Sequence, residues 1–263
     1  MTLGLLLLAA PLGAPTAAEP DAAVLAAAES AFDEGLTLRS DEAKARPAFA
    51  RAAAGYDELW RRGQRNADLA RNRAAARRLA GDLPGAIAAL HEGLAVARWS
   101  RPLQAALEDA RGAVAYPAAG DLAGQCRPPP PDGLGTRFSP ADAWAAVGVL
   151  WLLACGGLAR FVMTRVPGWL AFAAAAATAA ALLGGLWVRD QRRQDRADRL
   201  PLVVVARDAT LRRGNADAYP ARLDAKLPRG VEARALAARG GWVQVRLAGG
   251  AVGWLPESAV VRP

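Results

Sequence analysis

Two uncharged apolar segments in the second half of the chain constrain its fold more than any other feature. Residues 143–159 and 167–188 contain no charged side chain. Each is about long enough to cross a hydrocarbon core of ~30 Å at ~1.5 Å of rise per residue. Three tryptophans lie at the ends of these segments: Trp144, Trp169 and Trp187. Indole rings favour the headgroup level. We therefore predict two transmembrane helices within residues 141–188. The Ala-rich second segment leaves a buried soluble helix as the alternative, which would need a large surrounding domain.

The first eighteen residues resemble an export signal. An apolar run from Leu3 to Ala10 is too short to span a bilayer and is followed by small residues. No Lys or Arg precedes the run, in contrast to the usual pattern. Residues 1–18 are therefore predicted to be a signal-peptide-like segment, with a frayed apolar terminus as the alternative.

Residues 20–116 are predicted to be wholly α-helical, because apolar positions recur at three- and four-residue spacing and proline is sparse. One helix is expected over Asn66–Ala80, with Gly81 ending it. Asp82 can cap the next helix, and Pro84 fits its first turn, where the missing amide proton costs nothing.

This helical hairpin resembles a tetratricopeptide repeat (TPR), whose period is about 34 residues. The resemblance is carried by candidate packing positions in both helices: Asn72, Gly81, Ala86, Ile87, Leu90 and Leu94. It departs from the repeat at Arg73, Ala74 and Arg77, which makes packing of the first helix less certain. Residues 21–62 are expected to supply a second, more degenerate hairpin, and Leu103–Val114 a closing helix. A generic antiparallel bundle is the alternative.

Residues 117–140 are predicted to be a linker. The segment CRPPPPDGLG is incompatible with a helix or a central strand, and its four consecutive prolines favour a stiff extended spacer.

The last part of the chain, residues 200–263, has the pattern of a small all-β barrel. Short strands are predicted at Val203–Val205, Val231–Leu236, Trp242–Leu247 and Ala251–Leu255. Glycine-containing turns separate the strands. Pro256 is expected to end the last long strand, before a short helical turn and Val260.

This segment resembles a bacterial SH3 domain (SH3b) over nearly its whole length. The matching motifs are Leu211-Arg212-Arg213-Gly214, Leu227-Pro228-Arg229-Gly230, Gly241-Trp242-Val243-Gln244-Val245 and Gly253-Trp254-Leu255. The resemblance implies binding of peptidoglycan peptides or of a protein segment. Tyr219, Trp242 and Trp254 form the candidate ligand groove. Alternatively, the two tryptophans pack the small core, a placement favoured for Trp254 and left open for Trp242.

No chemistry-bearing motif stands out elsewhere. The sequence contains no nucleophile elbow, phosphate-binding loop, dinucleotide fingerprint or zinc-protease helix, so no catalytic residue, cofactor or metal is predicted. Two cysteines and one histidine do not build an ordinary zinc site. His91 is expected to be a surface residue. The net charge of +8 is spread along the chain without a groove-reading element, so no nucleic-acid partner is expected.

The order of these parts resembles the BatE-like proteins of Bacteroides aerotolerance (Bat) operons. The resemblance rests on the hairpin around Gly81-Asp82, the following segment LEDARGAVAYP, the paired apolar helices and the barrel. It implies a non-enzymatic membrane scaffold beside a MoxR-type ATPase and membrane proteins with von Willebrand factor A domains. The alternative is a peptidoglycan-binding cell-wall sensor or a regulator of a wall hydrolase.

Orientation in the membrane is predicted from two conflicting signals. The export-signal-like start and the resemblance to SH3b domains favour a bacterial inner membrane with both modules outside the cytoplasm. Arginines after the second apolar segment favour the opposite, because positive residues stay inside. These arginines are Arg189, Arg192, Arg193, Arg196 and Arg199. We expect the exported arrangement.

Overall fold

The computed structural model describes residues 20–120, 122–129 and 139–263. The signal-like segment predicted over residues 1–18 lies outside these ranges, as does the centre of the Pro-rich segment.

Residues 20–120 fold into five consecutive helices that pack against their neighbours. They are α1 (Asp21–Thr37), α2 (Glu42–Arg61), α3 (Ala67–Leu79), α4 (Leu83–Val96) and α5 (Arg101–Gly112). Asn66 caps α3 by accepting a hydrogen bond from the amide of Leu69 at 2.8 Å. Asp82 caps α4 by accepting one from the amide of Gly85 at 2.9 Å. The short turns make successive helices antiparallel.

Helix α4 is the most deeply buried of the five, with nine of its residues buried from Leu83 to Gly93. The sequence explains this, because α4 contains only two polar side chains, His91 and Glu92. A Cβ atom added to Gly93 would lie 2.5 Å from the Cβ of Ala70, so α4 and α3 approach closely there. Burial around the whole helix requires covering elements on more than one side.

Residues 117–120 and 122–129 correct the prediction of an extended spacer. A short helix, α6 (Ala123–Cys126), follows α5, and Leu122 and Cys126 are buried in the core. The carbonyl oxygen of Gln125 accepts a hydrogen bond from the amide of Gly249 at 3.1 Å. Its side-chain oxygen accepts one from the amide of Ala251 at 3.0 Å. The segment therefore packs against the barrel before the prolines begin.

Two long apolar helices follow, α7 (Pro140–Thr164) and α8 (Pro167–Asp198). Both are long and apolar enough to cross a membrane, and only 11% and 17% of their most apolar windows are buried. They pack against each other through small side chains: Ala143, Ala154, Gly157, Ala173, Ala176 and Ala180. The rings of Trp144 and Trp187 meet edge to face, with centroids 5.8 Å apart, where the chain enters and leaves the hairpin.

The C-terminal part forms one antiparallel five-stranded sheet in the order β4-β3-β2-β1-β5. The strands are β1 (Leu202–Val205), β2 (Glu232–Arg239), β3 (Trp242–Leu247), β4 (Val252–Pro256) and β5 (Val260–Val261). A 3₁₀ turn over Glu257–Ala259 separates β4 from β5. Val243, Val245 and Leu247 alternate with more exposed residues, as the pattern of β3 predicts.

The helices and the sheet share one hydrophobic core. Val203, Val204 and Val205 are consecutive and fully buried, so both faces of β1 are covered. Side chains on one face of β1 pack within the interior of the five-stranded sheet. Those on the other face meet helix α4, which contacts β1 and β5. The predicted barrel, residues 200–263, is seen as this five-stranded sheet, which packs onto the helical domain and is not a separate module at the end of a tether.

Candidate functional site

The centre of the junction between helices and barrel is a buried carboxylate. Glu232, at the start of β2, is only 6% exposed. The Nε and Nη2 atoms of Arg111 donate to its two oxygens at 2.7 and 2.8 Å. The Nε2 atom of His91 lies 2.9 Å from Oε2. Burial raises the pKa of Glu232, but the hydrogen bonds from Arg111 and His91 outweigh it and lower the pKa to about 2.

The register of the sheet explains why Glu232 faces the helices. Glu232 pairs with Val204 of β1, on the face opposite to the inward-pointing Val231 and Ala233. Helices α4 and α5 supply His91 and Arg111 to this face. His91 is therefore a junction residue and not the surface residue that the sequence predicts.

Gly230 brings the backbone of the barrel into direct contact with the helical domain. Its φ is +90°, a conformation that favours glycine. A Cβ atom there would lie 2.8 Å from Val114 Cγ2 and 3.4 Å from Ile87 Cδ1. Van der Waals packing and the Glu232 ion pairs therefore act at the same junction.

A second buried charge explains how α3 packs despite its arginines. Arg73 is 5% exposed, and its guanidinium bonds Asp57 at 2.8 Å and Glu92 at 2.6 Å. It also lies over the ring of Trp60, 4.7 Å from the centroid. The arginine that departs from the repeat pattern therefore has two carboxylates and an aromatic face as partners.

The six predicted packing positions of the hairpin are buried to different degrees. Ala86, Ile87 and Leu90 are fully buried in α4. The remaining three, Asn72, Gly81 and Leu94, are half-buried.

A depression of about 180 Å³ lies between α3, α4 and α5. Its floor consists of small or apolar side chains: Ala74, Ala75, Ala86, Leu90, Ala106 and Ala110. Exposed Arg71 and Arg78 of α3 border one side, and Asp109 of α5 borders the other.

The two tryptophans of the candidate groove share the outer face of β3 and β4. Trp242 pairs with Pro256 and Gln244 pairs with Trp254, so the two indoles are diagonal neighbours. Both are half-buried. The core placement favoured for Trp254 is wrong, because Gly253 and Leu255 point inward and Trp254 lies between them.

Tyr219 lies on the long loop between β1 and β2 and is 48% exposed. Arg212 connects this loop to β4. Its backbone amide and carbonyl exchange hydrogen bonds with Trp254, and its Nη1 atom donates to the carbonyl oxygen of Tyr219 at 2.9 Å. Arg212 thus links the loop that carries Tyr219 to Trp254, while α4 contacts β1 and β5 on the other part of the sheet.

Cysteines and acidic residues form no metal-binding group of three or more within residues 20–120, 122–129 and 139–263. Burial raises the pKa of the Cys126 thiol to about 11, whereas Cys155 is exposed on α7.

Comparisons of the chain with protein-family models, curated proteins and solved structures each find no match.

Proposed function

We propose that the chain is a non-enzymatic scaffold anchored in a membrane by α7 and α8, with the helical domain and the barrel forming one docking body on the same side of the bilayer. The observation that carries the proposal is that the apolar hairpin of α7 and α8 is largely exposed, whereas the helical domain and the barrel are well packed.

Exposure of the hairpin supports lipid as its solvent. Leu152 and Leu182 are 72% and 61% exposed, and Trp151 is 59% exposed. At ~25 cal/mol per Å² of apolar surface, helices this exposed are strongly unfavourable in water and favourable in hydrocarbon. Membrane lipid is therefore the first partner.

The packed junction supports placing both modules on one side. A hairpin crosses the bilayer twice and returns the chain to the side on which it entered. The ion pairs of Glu232 form only if the helices and the barrel meet there. The export-signal-like start favours the extracytoplasmic side of a bacterial inner membrane, against the arginines that follow α8.

The depression between α3, α4 and α5 is the proposed docking surface for a protein partner. The resemblance to BatE-like proteins suggests envelope proteins with von Willebrand factor A domains and a MoxR-type ATPase system. A photo-crosslinking residue in place of Ala75, inside the depression, is expected to give a discrete crosslinked partner in cells. The same residue in place of exposed Ala50 of α2 is the control. Reversing the charge of Arg78 with glutamate is expected to remove the crosslink, and its persistence would contradict this surface.

Anchoring is tested by washing membranes that contain the full-length chain with alkaline carbonate. The chain is expected to stay in the pellet and to need detergent for release. A monodisperse full-length protein in plain buffer would overturn the proposal, because α7 and α8 would then be covered by protein.

A second candidate function is recognition of peptidoglycan through the aromatic surface of Tyr219, Trp242 and Trp254, as a cell-wall sensor or hydrolase regulator. The half-exposed indoles outside the helix–barrel junction favour it. Full-length protein in detergent is expected to sediment with cell-wall sacculi, and Trp242→Ala is expected to abolish this. Arg78→Glu, in the other surface, is the matched control. Sedimentation that survives Trp242→Ala would remove this candidate.

A further inference from the structure

We propose that the turn between α4 and α5, residues 97–100, rests on anionic lipid headgroups of the bilayer that α7 and α8 cross. This inference rests on the proposed membrane anchoring and adds a second, peripheral contact with lipid.

The position of the turn follows from one ion pair and one electrostatic interaction with the ends of the hairpin. The Nη1 atom of Arg98 lies 3.7 Å from Oδ1 of Asp195, in the polar extension of α8. Arg101, in the first turn of α5, interacts electrostatically with Asp142 in the first turn of α7. One end of the helical domain is therefore held against the point where the hairpin leaves the membrane.

The paired rings of Trp144 and Trp187 mark the headgroup level on that side. Asp142 precedes Trp144 by two residues, or ~3 Å along the helix axis. Asp195 follows Trp187 by eight residues, or ~12 Å. Each headgroup layer is about 5–7 Å thick. Asp142 thus lies at headgroup depth and Asp195 beyond the layer, so the α4–α5 turn between them lies across the outer boundary of the headgroups.

The side chains of the turn have the chemistry of this layer. Trp99 is 37% exposed and the neighbouring Val96 is 50% exposed. Tryptophan favours the interface between headgroups and hydrocarbon. Arg98 and Arg101 flank this apolar pair. Each faces an aspartate, but a guanidinium group carries several N–H donors and binds phosphate oxygens through paired hydrogen bonds. Anionic phospholipid is the ligand that matches both the apolar and the basic groups.

The antiparallel order of the helices supplies a matched control position. The α1–α2 turn is at the opposite end of the domain from the α4–α5 turn, because three helices separate them. Each turn contains one serine, Ser40 and Ser100. Cysteine in place of either serine leaves Trp99 and the arginines intact.

The experiment uses the full-length chain in vesicles of phosphatidylcholine with and without phosphatidylglycerol. A nitroxide is attached to Ser100→Cys or Ser40→Cys in a Cys155→Ala background, where buried Cys126 stays unlabelled. A third sample carries the label on native Cys155. Electron paramagnetic resonance measures collisions of each label with oxygen, which concentrates in lipid, and with a nickel chelate, which stays in water.

The label at position 100 is expected to be protected from nickel in vesicles that contain phosphatidylglycerol, while the label at position 40 stays accessible. Arg101→Gln is expected to lower the protected population about fivefold, the factor for one basic residue near an anionic surface. Equal nickel accessibility at positions 100 and 40, with Cys155 in lipid, would overturn this inference and leave anchoring intact. A water-accessible label on Cys155 would overturn anchoring as well.

Discussion

Replacing Glu232 with glutamine removes the charge at the junction between barrel and helices while keeping the shape of the side chain. Arg111 and His91 then lose the buried carboxylate that both of them contact. The expected result is a less stable protein, because the largely buried Arg111 then keeps only the exposed Glu108 as an anionic partner.

The size of the effect follows from the titration of Glu232. Its pKa falls from an ordinary value of 4.5 to about 2 in the folded chain. A difference of one pKa unit corresponds to ~1.4 kcal/mol, so the folded state favours the ionised carboxylate by ~3 kcal/mol. Breaking buried pairs by mutation costs ~3–5 kcal/mol, in the same range.

The pH dependence has a defined sign. Because the folded pKa is the lower one, the stabilisation by Glu232 is present in full well above pH 4.5 and is lost as the pH falls toward 2. With these two pKa values, more than half of it is lost by about pH 3. The difference in stability between the wild type and Glu232→Gln is therefore expected to narrow on acidification.

The assay is urea unfolding of the full-length protein in detergent, followed by tryptophan fluorescence at neutral pH and at about pH 3. Glu257→Gln is the matched control, since Glu257 forms an exposed ion pair with Arg262. Exposed pairs contribute ~0–1 kcal/mol. Equal stabilities of the two variants at neutral pH, or an undiminished difference in acid, would refute the assigned role of Glu232.

Two further substitutions test the packing of the helical domain by thermal unfolding monitored at 222 nm. Arg73→Ala is expected to destabilise the protein by ~3–5 kcal/mol, since it removes the buried partner of Glu92 and leaves Asp57 with Arg77 alone, whereas exposed Arg71→Ala costs less than ~1 kcal/mol. Similar losses in both would contradict the buried network. Gly93→Ala is expected to cost ~1–3 kcal/mol, because its methyl group would meet Ala70, although alanine has the higher helix propensity. Gly112→Ala, with open space around it, is the control, and a stabilised Gly93→Ala would show that α3 and α4 are not in close contact.

Local patterns in the sequence predict local structure well. The caps of Asn66 and Asp82 and the alternation in β3 depend on residues a few positions apart. The same local rules predict the apolar length of α7 and α8.

The junction depends on contacts between distant parts of the chain, and the sequence does not indicate it. His91, Arg111 and Glu232 each resemble ordinary surface charges until the barrel and helices pack together. Arg73 makes the packing of α3 less certain from the sequence, because its two carboxylate partners come from two other helices. Such charge pairs are set by tertiary geometry.

For Trp254, the residue type alone predicts the wrong placement, because the register of the strand decides which face of the sheet its side chain lies on. Its size and hydrophobicity favoured the core, but the strand alternation directs Gly253 and Leu255 inward. A Cβ atom on Gly253 would lie 2.5 Å from Leu211 Cγ, so Leu211 already fills the space that a larger inward residue would need. The indole is left half-buried on the outer face of the sheet.

The most direct test of the account is the side of the membrane on which each part of the chain lies. In a Cys155→Ala background, single cysteines replace Ser40 in the helical domain, Ser258 in the barrel and exposed Met163 near the α7–α8 turn. A membrane-impermeant thiol reagent is applied to sealed spheroplasts and to inverted vesicles. Positions 40 and 258 are expected to react together from the spheroplast exterior, and position 163 only in inverted vesicles. Labelling of positions 40 and 258 from opposite sides would contradict a single docking body held by a membrane hairpin.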